Sequence, residues 1–385
     1  MIDLSEFESI RPYSDEEAVE AYQRVARHPM LPVISKYLFP KQAFNTLQKA
    51  LCSVHSIEEF QKVVMVDVVN SVLAKTSEGF TCSGVENLNS LKDKRFLAIS
   101  NHRDIVLDPC LICYSMFDQG VSDVGLCVGS NLLQSGLVED LLRSNRMIKV
   151  IRGISARELY LSSKTLSKYI RLSITSGTSS VWVAQREGRT KDGWDTTEQG
   201  LLKMFDMSGE NGFEENFKEL NIIPLTISYE YEPCDARKAR ELYIKQIEGK
   251  YVKKPKEDMH SILTGIGQKK GHIHLTIGKP LTSDEIAQAA SLSGNERYQC
   301  IRHMLDKRII EGYKLWKTNY KAYDLLNNTS DFQGDKYLPT DLIDFKKYID
   351  YKMSKIEARY DRSAVKEIFL RIYANPVIAV LQKEG

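Results

Sequence analysis

Charge of one sign is what this sequence has least of. Its 385 residues carry 53 Lys and Arg against 51 Asp and Glu, a formal net charge of +2. So close a balance argues against nucleic acid as a partner, and any basic surface must be local. Long apolar runs are also missing. No stretch approaches the roughly 18 uninterrupted apolar residues of a spanning helix, and the Val-rich segment from Val63 to Leu73 is broken by Asp67 and Asn70. The seven cysteines, at 52, 82, 110, 113, 127, 234 and 300, are scattered. They match neither a metal cluster nor a disulfide framework, and they fit a reducing compartment. Cys110 and Cys113 form a C-x-x-C on an apolar helix, where small core residues are the simpler reading than a redox pair. The acidic segment Met1 to Glu8 carries no signal-peptide pattern. Internal repeats and low-complexity linkers are absent too. The expectation is a cytoplasmic protein whose membrane contact, if any, is peripheral, at the inner face of the cell membrane.

What is present divides into three regions. Residues 1–79 read as a helical N-terminal region, with a Ser56-x-x-Glu59 capping signal ahead of Phe60, Val63, Val64 and Val68. Residues 80–280 change texture: short apolar segments recur at 95–100, 124–129, 147–151, 180–184, 222–229 and 272–278. Helical spacings such as Leu159, Leu166, Ile170 and Ile174 lie between them. Strands alternating with helices predict an α/β domain, a central mixed sheet flanked by helices, with functional groups in loops at strand ends. Residues 281–385 turn helical again from a Thr282-x-x-Glu285 capping box. Their Tyr, Lys and Trp residues (Tyr313, Lys314, Trp316, Lys317, Tyr320, Lys321) read either as a solvated helix face or as rings at a lipid headgroup boundary.

The segment from Ile99 to Pro109 carries the chemistry. Phe96 to Ile99 deliver Asn101-His102 to a polar turn, and Asp108-Pro109 opens the next helix, with Asp read as its cap and Pro as its first residue. A histidine just past a strand end, with a carboxylate one short loop away, is the arrangement of an oriented general base. A lone histidine here would more simply be structural; the surrounding clusters tip the balance. The strand Ile148 to Ile151 ends in Arg152. Val181 to Ala184 runs into the loop Gln185-Arg186-Glu187-Gly188-Arg189-Thr190-Lys191-Asp192-Gly193, and Ile222 to Tyr229 carries Pro224. Arg152, Lys149, Arg189 and Lys191 read as an anion clamp, Arg supplying a planar fork and Lys a mobile charge. The bland reading of Arg152 is an ion pair with a nearby acid, and Arg186 reads as structural.

The order of these four blocks resembles the glycerolipid acyltransferases, which acylate glycerol-3-phosphate, its 1-acyl derivative or dihydroxyacetone phosphate. The resemblance covers roughly residues 95–232. His102 and Asp108 fall on the family's His-Asp pair, separated by five residues where the family has four. The third loop is a hybrid, its Glu187-Gly188 like the lysophosphatidate branch and Arg189 to Gly193 like the glycerol-3-phosphate branch. Val128 to Leu132 also resembles a segment between the first two blocks of the glycerol-3-phosphate enzymes.

The resemblance implies acyl transfer to a phosphorylated glycerol or lysolipid. The donor would be acyl-CoA or an acylated carrier protein, with neither metal nor cofactor. His102 would be the base, braced by Asp108. Arg152, Arg189, Lys191 and Lys149 would bind phosphate, and Glu187, Gly188 and Thr190 would form the acceptor and oxyanion loop. Two alternatives stand beside it: acylation of another lipid hydroxyl, such as an acyl-amino acid, and a lipid-binding protein of the same fold without turnover. Two decoys fall away. His102-Arg103-Asp104 imitates a kinase catalytic loop, but that loop needs Asn at the position of Pro109. His272 and His274 alternate along one strand with no carboxylate or cysteine at ligand spacing, and read as ordinary sheet residues.

Overall fold

A computed structural model describes residues 4–43, 45–133 and 136–384. Seven strands form one mixed sheet: β1 (Ser77–Ser83), β2 (Leu97–Ser100), β3 (Val124–Gly129), β4 (Met147–Val150), β5 (Ser180–Ala184), β6 (Ile223–Tyr229) and β7 (Gly271–Ile277). Their spatial order is β1-β7-β6-β2-β5-β3-β4. β6, β2, β5, β3 and β4 run parallel, whereas β7 pairs antiparallel with β6 and parallel with β1. The α/β architecture read from the alternating segments is therefore the one observed.

Strand period explains why the central strands are apolar throughout. Leu97 and Ile99 of β2, with Val181 and Val183 of β5, point into one core under the helices Ala156–Thr175 and Glu296–Glu311. Ala98 and Trp182 point to the other face, under Val66–Thr76 and Leu107–Asp118. A parallel sheet covered on both sides has no polar face to spare. The N-terminal region joins this packing, with Phe7 and Ile10 in the first core. The C-terminal helices build their own cluster around Phe345, Ile349, Phe369 and Tyr373.

One reading needs correction. Residues 77–79 are not helical: β1 begins at Ser77, and its pairing with β7 rather than its composition makes it a strand. The aromatic C-terminal segment divides between surface and interior: Lys314 and Lys317 are exposed, and Tyr313, Trp316 and Tyr320 are half-buried. Lys321 is buried over the Phe345 ring, and the Tyr313 hydroxyl reaches inward to Asp195.

Candidate active site

Because β2, β3, β4 and β5 run parallel, their carboxyl ends share one edge of the sheet. His102, Ser130, Arg152 and the loop 185–193 all follow directly from those ends. This is the edge at which open α/β sheets bind ligands.

The turn after β2 is fixed by Asn101. Its side-chain amide donates to Ile227 O (3.0 Å) and its Oδ1 accepts from Ile227 N (2.8 Å), so it continues the β2–β6 ladder by one side-chain rung. His102 follows. Its Nδ1 lies 2.8 Å from Asp108 Oδ2, and the Trp182 ring meets the imidazole edge-on at 5.6 Å. With Nδ1–H engaged by the carboxylate, Nε2 is the atom left to take a substrate proton.

Asp108 is fully buried and accepts four hydrogen bonds. Besides His102, Oδ2 takes the amides of Arg103 (2.5 Å) and Asp104 (2.9 Å), and Oδ1 takes the Tyr229 hydroxyl (2.6 Å). Burial alone would raise its pKa. The bonds from His102, Tyr229 and the Asp104 amide, with the attraction of the His102 charge, outweigh that and hold it below the ordinary carboxylate value. The same burial, and the negative charge of Asp108, push the Tyr229 phenol well up. The five-residue spacing closes because the chain wraps two amides around the carboxylate.

The helix that follows starts at Leu107, so Asp108 lies inside its first turn and is not its cap, and Pro109 is not its first residue. The capping bonds come from Asp104, whose Oδ1 accepts from the Val106 and Leu107 amides (2.9 and 2.8 Å). Pro is tolerated at the third position because an N–H there has no intrahelical partner anyway.

Behind the dyad is a second network that the sequence did not reveal. Asp195 accepts from Asn101 Nδ2 (2.9 Å), Arg103 Nη2 (2.5 Å), Thr190 Oγ1 (2.7 Å) and Tyr313 OH (2.8 Å). Arg103 is 4 % exposed and also faces Glu232 at 3.5 Å. Lys238 bridges Glu232 (2.6 Å) and the Arg103 carbonyl (2.8 Å). Thr190 donates its amide to His102 O (2.8 Å) as well as its hydroxyl to Asp195. It has no N–H or O–H left for an oxyanion, and its expected place in the acceptor loop is corrected to that of a brace.

The four expected cations fare differently. Arg189 follows β5 at this edge; its Nη1 is buried and without a hydrogen-bond partner, and its charge faces Cys234 and Asp258. Arg152 lies at the same edge; its amide meets Ser130 Oγ (3.1 Å) and its guanidinium faces Glu187 at 3.6 Å. Gly129 allows that approach, since a Cβ there would sit 3.0 Å from Arg152 Nε. Lys191 is ion-paired to Glu241, and burial lowers its pKa. Its charge is therefore met by a carboxylate at the position expected to bind phosphate. Lys149 is in edge strand β4 with its amide on Ile10 O (2.8 Å), and no hydrogen bond or ion pair joins it to His102 or the other cations among the described residues. In the loop itself the Glu187 amide donates to Glu198 Oε2 (3.2 Å). Gly188 takes the left-handed conformation (φ +70°) with open space where a Cβ would be. Its amide and that of Arg189 have no acceptor among the described residues.

Away from this edge, the strand histidines are partly as read. His274 hydrogen-bonds Thr81 (2.7 Å) and Ser83 (2.9 Å) across β1. His272, however, does gain carboxylates from other strands: Glu230 at 2.8 Å and Glu78 at 3.8 Å, with Lys269 2.9 Å from Glu78. The thiols of Cys110 and Cys113 are pushed up to about 12 by burial, which suits core residues rather than a redox pair. Compared with protein-family models the chain matches none, and no curated protein matches it in sequence.

Proposed function

We propose that the chain is an acyltransferase. It would move a fatty acyl group from an acyl thioester, carried by coenzyme A or an acyl carrier protein, to a hydroxyl of glycerol-3-phosphate or 1-acylglycerol-3-phosphate. The observation that carries the reading is the His102–Asp108 pair: an imidazole held at 2.8 Å by a buried carboxylate, at the strand edge that also bears Arg152 and Arg189. His102 Nε2 takes the acceptor's hydroxyl proton as the alcohol oxygen attacks the thioester carbonyl. The tetrahedral oxyanion faces the amides of Gly188 and Arg189. The carbon–sulfur bond then breaks, and the thiolate leaves with the proton returned by the imidazolium. General base catalysis of this kind contributes about 10² to 10⁴ in rate. Asp108 stabilises the imidazolium, and the Arg189 fork anchors the acceptor phosphate.

One observation favours a second acceptor class, a lipid alcohol without phosphate such as an acyl-amino acid. Glu187 and Glu241 already face Arg152 and Lys191, which reduces the positive charge open to an anion. The test offers purified protein one labelled acyl thioester with glycerol-3-phosphate, 1-acylglycerol-3-phosphate or an unphosphorylated lipid alcohol, and identifies the product. Transfer to one acceptor by the wild type, and its near-complete loss in a folded His102→Ala variant, is the expected result. Transfer to none, or an unimpaired variant, defeats the reading.

A further inference from the structure

The rim of the carboxyl edge carries apolar side chains that the fold does not use. On the helix after Arg152, three consecutive residues stand in solvent: Leu159 (49 % exposed), Tyr160 (58 %) and Leu161 (54 %). On the segment that leads into the helix Glu257–Gly267, Val252 is 72 % exposed, and Met259 and Leu263 (60 %) follow one helical turn apart. In the sequence these two groups are far apart, but hydrogen bonds bring their elements to one place. Asn131 Nδ2 donates to Asp258 Oδ2 (3.0 Å), Lys253 reaches the same Asp258 (2.6 Å), and the neighbouring Ser130 holds the Arg152 amide. Both apolar groups therefore flank the turn after β3, beside the loop that carries Glu187 and Arg189. Exposed apolar clusters rimmed by polar groups mark interaction surfaces.

Charge identifies the partner. The stretch Lys250-Tyr251-Val252-Lys253-Lys254-Pro255-Lys256 places four lysines around Val252, the most exposed large apolar side chain among the described residues. Lys253 is paired with Asp258, whereas Lys250, Lys254 and Lys256 are exposed and have no ion pair among the described residues. In a protein with a net charge of only +2, this is a local excess facing outward beside protruding apolar side chains. Side chains that protrude from two separate elements, with lysines between them, match a fluid anionic phase that needs no shape complementarity. The apolar groups enter the acyl boundary, and the lysines meet headgroup phosphates.

We propose that this rim docks the protein on the surface of an anionic lipid bilayer, with the carboxyl edge of the sheet turned toward the lipid. The inference stands on the surface itself and needs no turnover, so it is tested apart from acyl transfer. Purified full-length protein is floated with phosphatidylcholine vesicles, with and without phosphatidylglycerol, at low and high salt. The expected result is flotation only with phosphatidylglycerol, weakened by salt. Each unpaired lysine contributes about fivefold, so replacing Lys250, Lys254 and Lys256 by Gln weakens binding by about 10²-fold. The L161E/V252E double variant loses the apolar contribution and should stay at the bottom of the gradient. Both changes are on exposed side chains, and circular dichroism checks that the fold survives. A His102→Ala protein should float like the wild type. Failure of the wild type to float with anionic vesicles overturns the proposal, as does unchanged flotation of both surface variants. In the lysine variant, loss of binding to an acidic acyl carrier protein with vesicle binding intact overturns it in favour of a protein partner.

Discussion

Replacing Asp108 by Asn separates charge from shape at the site. The carboxylate accepts three donors on Oδ2 and one on Oδ1, all within 2.9 Å. An Asn carbonyl can face the His102, Arg103 and Asp104 N–H groups, and its amide can face the Tyr229 hydroxyl, which turns to accept. What disappears is the negative charge. While the imidazole is neutral, little is lost. As the imidazolium forms, its attraction to a carboxylate 2.8 Å away is lost, on the order of 5 kcal/mol at an effective dielectric constant of about 20. That matches the factor of about 10² to 10⁴ ascribed to a general base. The expected outcome is a fall of that size in kcat for thioester transfer, with acceptor KM little changed. Folding loses about 1–2 kcal/mol as charged acceptors become neutral, read from the urea midpoint. The pH dependence has a definite sign. Asp108 is held below its ordinary pKa, so its contribution is present above that value and lost as pH falls through the folded one. The stability gap between wild type and D108N should therefore close in acid. A variant that turns over like the wild type would refute the argument, because the carboxylate would then be doing nothing for the base.

Tyr229→Phe keeps the volume and removes one donor to Asp108; it should cost about 1–2 kcal/mol of stability and move the acid limb of the pH–rate profile upward, because the carboxylate then pulls harder on the imidazole proton. An unmoved limb would assign Tyr229 to packing alone. Asp195→Ala leaves the buried Arg103 with Glu232 at 3.5 Å as its remaining ion-pair partner among the described residues, and should cost about 3 kcal/mol in chemical denaturation; an unshifted midpoint counts against the network. Gly193→Ala forces a side chain onto φ +83° with its Cβ 2.3 Å from Ile372 O, which should lower stability by more than about 1 kcal/mol, and an unchanged melting temperature would contradict it.

The sequence displayed its interior strands plainly, because β2 and β5 are short apolar runs bounded by polar turns and β6 alternates Ile223, Leu225 and Ile227 with Pro224, Thr226 and Ser228. β1 was invisible for a physical reason: Ser77, Glu78, Gly79 and Cys82 have little strand preference, and its main-chain partner is a strand from the far end of the domain. At the site, His102 and Asp108 stood out because their signal is local. Tyr229 left a readable trace, a phenol at the last position on the apolar face of its strand. Asp195 and Tyr313 left none, since only the tertiary fold brings them to Arg103. The cations misled for the same reason. Nothing around Lys191 announces that Glu241, on a later helix, neutralises it.

The position of β1 has a consequence for synthesis. Its sole strand neighbour is β7, so Ser77 waits for Gly271 to emerge from the ribosome before it can pair. Throughout that interval a nascent chain offers bare edges at β1 and β6, the kind of surface that recruits chaperones or captures a second chain. Tyr313 emerges later still, so the network behind the turn bearing His102 gains its brace only after residue 313 has been made.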